Sequence, residues 1–209
     1  MNFFKRLRKR NEHDINSDGD ENKFNKLTQT KTDSAAIFLL SSAYITLENK
    51  LGSKSTGRCA ICVKSVNSPD FNEMKQYVQD FLNSANSNKT DFEISFHTAV
   101  DSYGYLWIIL NGKAIEDIVA AINATSDTIN EKGFSNQLLA AIFEFINGYN
   151  TQYLIYNYKL DKFYPFVPSG GGQQTRNNEE EMKIMAAIAN EIPFEKDLSF
   201  WYPIWNLPF

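Results

Sequence analysis

Histidine and cysteine are scarce in this 209-residue chain, at two of each. Two histidines leave little for general base work near neutral pH: His13 lies in a polar stretch, and His97, in an expected strand between Phe96 and Thr98, is read as a structural residue. G-x-S-x-G, H-E-x-x-H and G-x-G-x-x-G are absent, which removes the commonest signatures of hydrolases, zincins and dinucleotide enzymes. No run approaches 18 apolar residues, so no spanning helix is expected. No apolar block of the length a secretory leader needs follows the basic start, so an intracellular, reducing location is expected. The body is also short of basic charge. Lys5, Arg6, Arg8, Lys9 and Arg10 place +5 in the first ten residues, and the overall charge of −4 then leaves −9 on the other 199. Such a body is a poor binder of nucleic acid phosphates.

What is present is apolar and aromatic. Hydrophobic residues make up 43% and aromatics 14%, ample for a core without a metal or disulfide. Residues 11–33 are the exception, a polar linker whose only large apolar residues are Ile15, Phe24 and Leu27. The expected organisation is a basic start and disordered linker over 1–33, then one folded domain over 34–209.

Ala36, Leu40, Ala43, Leu47 and Leu51 fall at helical steps, with Gly52 placed to end the helix. The alternative is a helix to Leu40 followed by a strand at Tyr44–Leu47. Gly57–Val66 reads as a strand. Ser68-Pro69 opens a helix with Phe71, Met74, Val78, Phe81 and Leu82 inside. A hairpin follows, Phe92–Ala99 and Tyr103–Leu110, turning at Asp101-Ser102. Ile115 to Ile129 marks an amphipathic helix ending at Gly133. Leu138–Ile146 is apolar throughout, as a central strand would be, and Gln152–Leu160 and Phe163–Val167 continue the sheet. Asn178 is placed to cap a last helix with Met182, Met185, Ile188 and Ile192 inside, stopped by Pro193. Hairpins interleaved with helices indicate α+β: a mostly antiparallel sheet covered by helices.

Cys59-Ala-Ile-Cys62 has redox spacing, but within a strand its sulfurs would diverge to opposite faces. Core packing is the favoured reading, with redox or metal use as the alternative, and no metal site is expected. Asp14–Asp20 matches the first half of a calcium loop, but Asn25 stands where the bidentate Glu belongs. Gly170-Gly171-Gly172 lacks the Lys-Ser/Thr of a P-loop and precedes Glu179-Glu180-Glu181, which would repel an anion.

Two segments suggest contacts with other molecules. Phe163-Tyr164 and Trp201-Tyr202 with Trp205 are dense in rings beside proline. They can cap the sheet, form a partner-binding edge, or do both. Phe3, Phe4 and Leu7 with Lys5, Arg6, Arg8, Lys9 and Arg10 suit the surface of an anionic membrane; the alternative is a solvated arm.

Several segments together resemble the PspAB family of PspA-associated proteins. They are Thr56-Gly57-Arg58 with Cys62-Val63-Lys64, Asp101-Ser-Tyr103-Gly104-Tyr105-Leu-Trp107, and Glu131-Lys132-Gly133-Phe134. Leu154-Ile-Tyr156-Asn-Tyr158-Lys159, Phe163-Tyr164-Pro165-Phe166-Val-Pro168 and Trp201-Tyr202-Pro203-Ile-Trp205 follow in the family's order. The short apolar-then-basic start is also similar, whereas the insert at 11–33 and Cys59 depart from the pattern. The resemblance implies a cytoplasmic, non-enzymatic accessory of a phage-shock-like envelope-stress response, with a PspA-like membrane-remodelling protein as partner. It supplies no catalytic residue and no cofactor. The element order also resembles type III secretion chaperones and YbjN-like proteins. The competing expectations are an enzyme, or a small-ligand sensor, with a polar pocket of Asp101, Tyr103, Tyr158, Lys159 and Arg176.

Overall fold

The computed structural model describes residues 35–87, 94–170 and 174–209. The basic start, the polar linker with its calcium-loop half-match, and the 33/34 boundary lie outside them. Among the described residues, four helices and six strands alternate in the order expected from the sequence. They are α1 (Ala35–Thr46), β1 (Lys54–Lys64), α2 (Pro69–Ser87), β2 (Ser95–Val100), β3 (Tyr105–Asn111), α3 (Ile115–Glu131), β4 (Leu138–Asn147), β5 (Asn150–Asn157), β6 (Lys162–Phe166) and α4 (Asn178–Ile188).

Local sequence explains most boundaries. α1 runs on as one wide turn, Leu47–Leu51, and stops at Gly52, whose φ of 71° no following helical residue shares. The strand alternative at Tyr44–Leu47 is therefore not taken up. The Phe71 N–H donates to Ser68 Oγ at 3.2 Å, the cap expected before Pro69. α4 begins one residue earlier than expected: Asn177, not Asn178, caps it by accepting from the Glu180 N–H at 3.2 Å. On its inner face Ile184 and Ile188 are buried, whereas Met182, expected inside, is exposed.

The six strands form one open sheet in the order β2-β3-β1-β4-β5-β6, with every neighbouring pair antiparallel. β1 and β4 lie at its centre, which is why both read as nearly unbroken apolar runs. Alternation along β1 sends Cys59, Ile61 and Val63 to one face and Ala60 and Cys62 to the other. The Cys59 thiol lies against the Ile118 carbonyl of α3, so the first face meets the helices. The second face meets the C-terminal stretch: Phe166 packs on Trp205 with ring centroids 4.8 Å apart, and Tyr153 on Phe209 at 6.1 Å.

A bulge interrupts the β1–β4 ladder between Ser55 and Cys59. Its side chains staple it. Thr56 Oγ1 donates to the Glu144 carbonyl at 3.2 Å and accepts from the Arg58 N–H at 3.2 Å. Gly57 has φ of 76°, and a Cβ there would sit 2.0 Å from the Gly112 carbonyl oxygen. Both facts demand glycine. Gly57→Ala is expected to cost more than about 2 kcal/mol. Urea unfolding measures this, and an unchanged midpoint would show that the bulge can relax.

Candidate functional site

The C-terminal clasp is the densest polar cluster among the sequence-predicted site residues. Glu181, in the first turn of α4, is 1% exposed. Both of its carboxylate oxygens accept from Arg176 Nε at 2.9 Å, and Oε1 also accepts the Val167 N–H at 2.9 Å. Arg176 Nη1 donates to the Trp201 carbonyl at 2.6 Å, and its guanidinium lies 5.7 Å from the centre of the Phe166 ring. Burial pushes the Glu181 carboxyl up, and the Arg176 and Val167 hydrogen bonds oppose it. Arg176 is thus a fastener between the end of β6, α4 and the C-terminal stretch. Glu179 and Glu180, by contrast, both pair with Lys183, at 2.9 and 2.7 Å.

Around the clasp, the rings named from the sequence divide. Phe163 and Tyr164 are fully buried in β6, and Trp201 is buried with its indole N–H donating to the Glu195 carbonyl at 2.9 Å. Tyr202 and Trp205 are half-buried and keep an outer surface. Beside them Arg58 and Glu144 pair at 3.7 Å, and burial, followed by the Glu144 charge, pushes the Tyr153 phenol up to about 12.

The five polar residues grouped as a pocket do not meet. Asp101 sits in the β2–β3 turn, where Oδ1 accepts the Tyr103 and Tyr105 N–H groups at 2.9 and 3.0 Å and Oδ2 accepts the Trp107 indole N–H at 3.0 Å. Tyr103 points outward, 68% exposed. Tyr158 and Lys159 lie past the end of β5, on the far side of β1 and β4. Burial pushes the Tyr158 phenol up, and Lys159 Nζ donates to the Asn136 carbonyl at 2.9 Å. Arg176 belongs to the clasp beyond β6. Asp101, Lys159 and Arg176 therefore each hold a different turn or junction in place.

Cys59 and Cys62 are free and fully buried, on opposite faces of β1. Burial pushes both thiols up, the reverse of a redox pair, and the Asp101 charge adds to this at Cys62. His97 is a correction: its expected structural place is instead an exposed position on the edge strand β2. Among the described residues, no three His, Cys, Asp or Glu side chains converge to hold a metal ion. No helix among them is long and apolar enough to cross a membrane.

Reasoning from sequence missed a surface at the other edge of the sheet. Among the described residues β2 pairs only with β3, leaving its outer side open. Beside it runs a groove of about 260 Å³ lined by Val66, Phe71, Lys75, Val100 and Leu106. Val66 and Val100 are 37% and 67% exposed, yet neither lies in a ring-dense or motif-like segment that would have drawn notice.

Removing either member of the clasp leaves the other buried and unpaired. Glu181→Ala and Arg176→Ala are each expected to lower stability by about 3–5 kcal/mol, and the double variant by about the same. A urea double-mutant cycle checks this; additive losses would dissolve the clasp into independent contacts. Both thiols should stay silent to a thiol reagent in the folded chain and react after unfolding. A native-state reaction would contradict their burial.

No curated protein and no solved structure matches the chain, so the expected resemblance to type III secretion chaperones and YbjN-like proteins is not confirmed. A family model does match, that of PspA associated protein B, over residues 21–209. The basic start lies outside that span. With most of its length matched, including the whole sheet and the C-terminal clasp, the chain belongs to the PspAB family.

Proposed function

We propose that this chain is a non-enzymatic accessory protein that binds a PspA-type protein at the cytoplasmic side of the envelope. Family membership is the observation that carries the reading. The dispersal of Asp101, Tyr103, Tyr158, Lys159 and Arg176 takes away the grouping on which an enzymatic or ligand-sensing alternative rested.

Two surfaces are assigned to partner contact in this reading. One is the open β2 edge with its groove, where an added strand would find unpaired backbone groups and Val66 and Val100 would supply apolar contact. The other is the outer side of Tyr202 and Trp205, with Phe163, Tyr164 and Trp201 supporting it from within. The basic start, Phe3 to Arg10, adds contact with an anionic membrane, which raises the local concentration of chain and partner at one surface.

The test is calorimetric titration of the full chain with the purified PspA-type protein of the same organism. Saturable binding is expected. Val100→Asp is expected to weaken it at least tenfold, about 1.4 kcal/mol, with unchanged thermal stability. Trp205→Ala tests the second surface in the same way. Absence of binding by the full chain would overturn the reading. Binding that neither variant disturbs would move the contact elsewhere.

A further inference from the structure

Helix α1 is apolar on every side. AAIFLLSSAYIT contains no charged residue. Ile37, Leu40 and Ala43 are buried against the sheet and its helices. The opposite side carries Phe38, Leu39 and Ile45, 48%, 43% and 62% exposed. Phe38 and Ile45 lie two turns apart on one stripe, with the small Ser42 between them. A helix apolar all round is ordinarily covered all round, and no described element covers this stripe.

The surroundings of the stripe are acidic. α1 packs against α3 and α4. α3 holds Glu116, Asp117, Asp127 and Glu131 and no Lys or Arg. At the C-terminal end of α1, Glu48 and Lys50 are both exposed, and Thr46 Oγ1 donates to the Glu191 carboxylate at 3.1 Å, so the acids there outnumber the one base. The helix end itself adds partial negative charge. An occupant must therefore be apolar and basic together.

We infer that this stripe binds the chain's own first ten residues, with Phe3, Phe4 and Leu7 against Phe38 and Ile45. Lys5, Arg6, Arg8, Lys9 and Arg10 then face the acids around α1. The composition fits: the segment holds +5 and no acid, against −9 on the rest of the chain. The connection fits as well. The 27 residues between Leu7 and Ala35 could reach about 90 Å if extended, and α1 is only about 18 Å long. Tethering supplies the segment at an effective concentration on the order of millimolar. A second copy would bring the same acids face to face, and an anionic membrane would be repelled by them. The docked segment would also hold its basic residues away from a membrane, so docking regulates the membrane contact proposed above without depending on the PspA reading.

The test uses a nitroxide label on Asn2→Cys in the full chain. The native thiols are buried, so only the new one takes the label. Amide signals of residues 38–46 should broaden beyond detection at low salt. They should recover at high salt, and in Phe3→Ser with Phe4→Ser. Ile45→Ser, an exposed substitution that leaves the core intact, should also restore them, and Glu191→Lys should restore them partly. No broadening, or uniform broadening over the whole surface, overturns the proposal. Broadening that requires label and observed amides to be on different chains assigns the stripe to a second copy instead. Broadening absent in the labelled chain, but α1 amides lost on adding phosphatidylglycerol vesicles, assigns it to the membrane.

Discussion

The back of the sheet depends on one buried ion pair. Arg176 and Glu181 lie only five residues apart, yet together they hold the end of β6, the start of α4 and the backbone at Trp201. A buried pair of this kind contributes modest net stability, because desolvation offsets much of the attraction. Its strength is specificity: six donor and acceptor atoms are matched across three chain segments. With that arrangement set, Trp205 and Phe209 can lie on Phe166 and Tyr153, and the second face of the sheet is closed by a stretch with almost no regular structure of its own.

How much of this was legible depends on how far each interaction reaches along the chain. Periods of two and of about 3.6 residues are local, so the order of helices and strands, the central place of β4 and the divergence of Cys59 and Cys62 could be read directly. The cap of α4 missed by one residue, because Asn177 and Asn178 offer the same chemistry, and Met182 was placed inside where the fold buries Ile184. Glu181 looked like one of three acids placed for a helix dipole. Only the fold brings the Val167 N–H to it. His97 was read as structural because nothing local shows that its strand is the outermost one.

The segments that carry the family resemblance turn out to be joints. Thr56-Gly57-Arg58 is the bulge, Asp101 to Trp107 is a turn closed by one carboxylate, and Lys159 fastens the β5–β6 turn. The Phe134 ring packs edge-on against Phe71 of α2, 5.3 Å between centroids, where the α3 helix ends. Residues of this kind identify a fold with high fidelity and say little about what the fold holds. Grouping them into a pocket failed for that reason. The open β2 edge and the bare stripe of α1 are the reverse case: composed of ordinary residues and visible only once neighbouring elements are placed.

The position of the two cysteines makes β1 a clock for its own opening. Neither sulfur meets solvent while the central strand is paired on both sides. Their reaction with a dilute probe therefore waits on rupture of the β3–β1–β4 ladder, and its rate reports the free energy of that rupture rather than any property of the thiols. Because the two sulfurs lie on opposite faces, unequal rates would separate detachment of the helical layer from release of the C-terminal cover. Equal rates would show the two layers leaving as one cooperative unit.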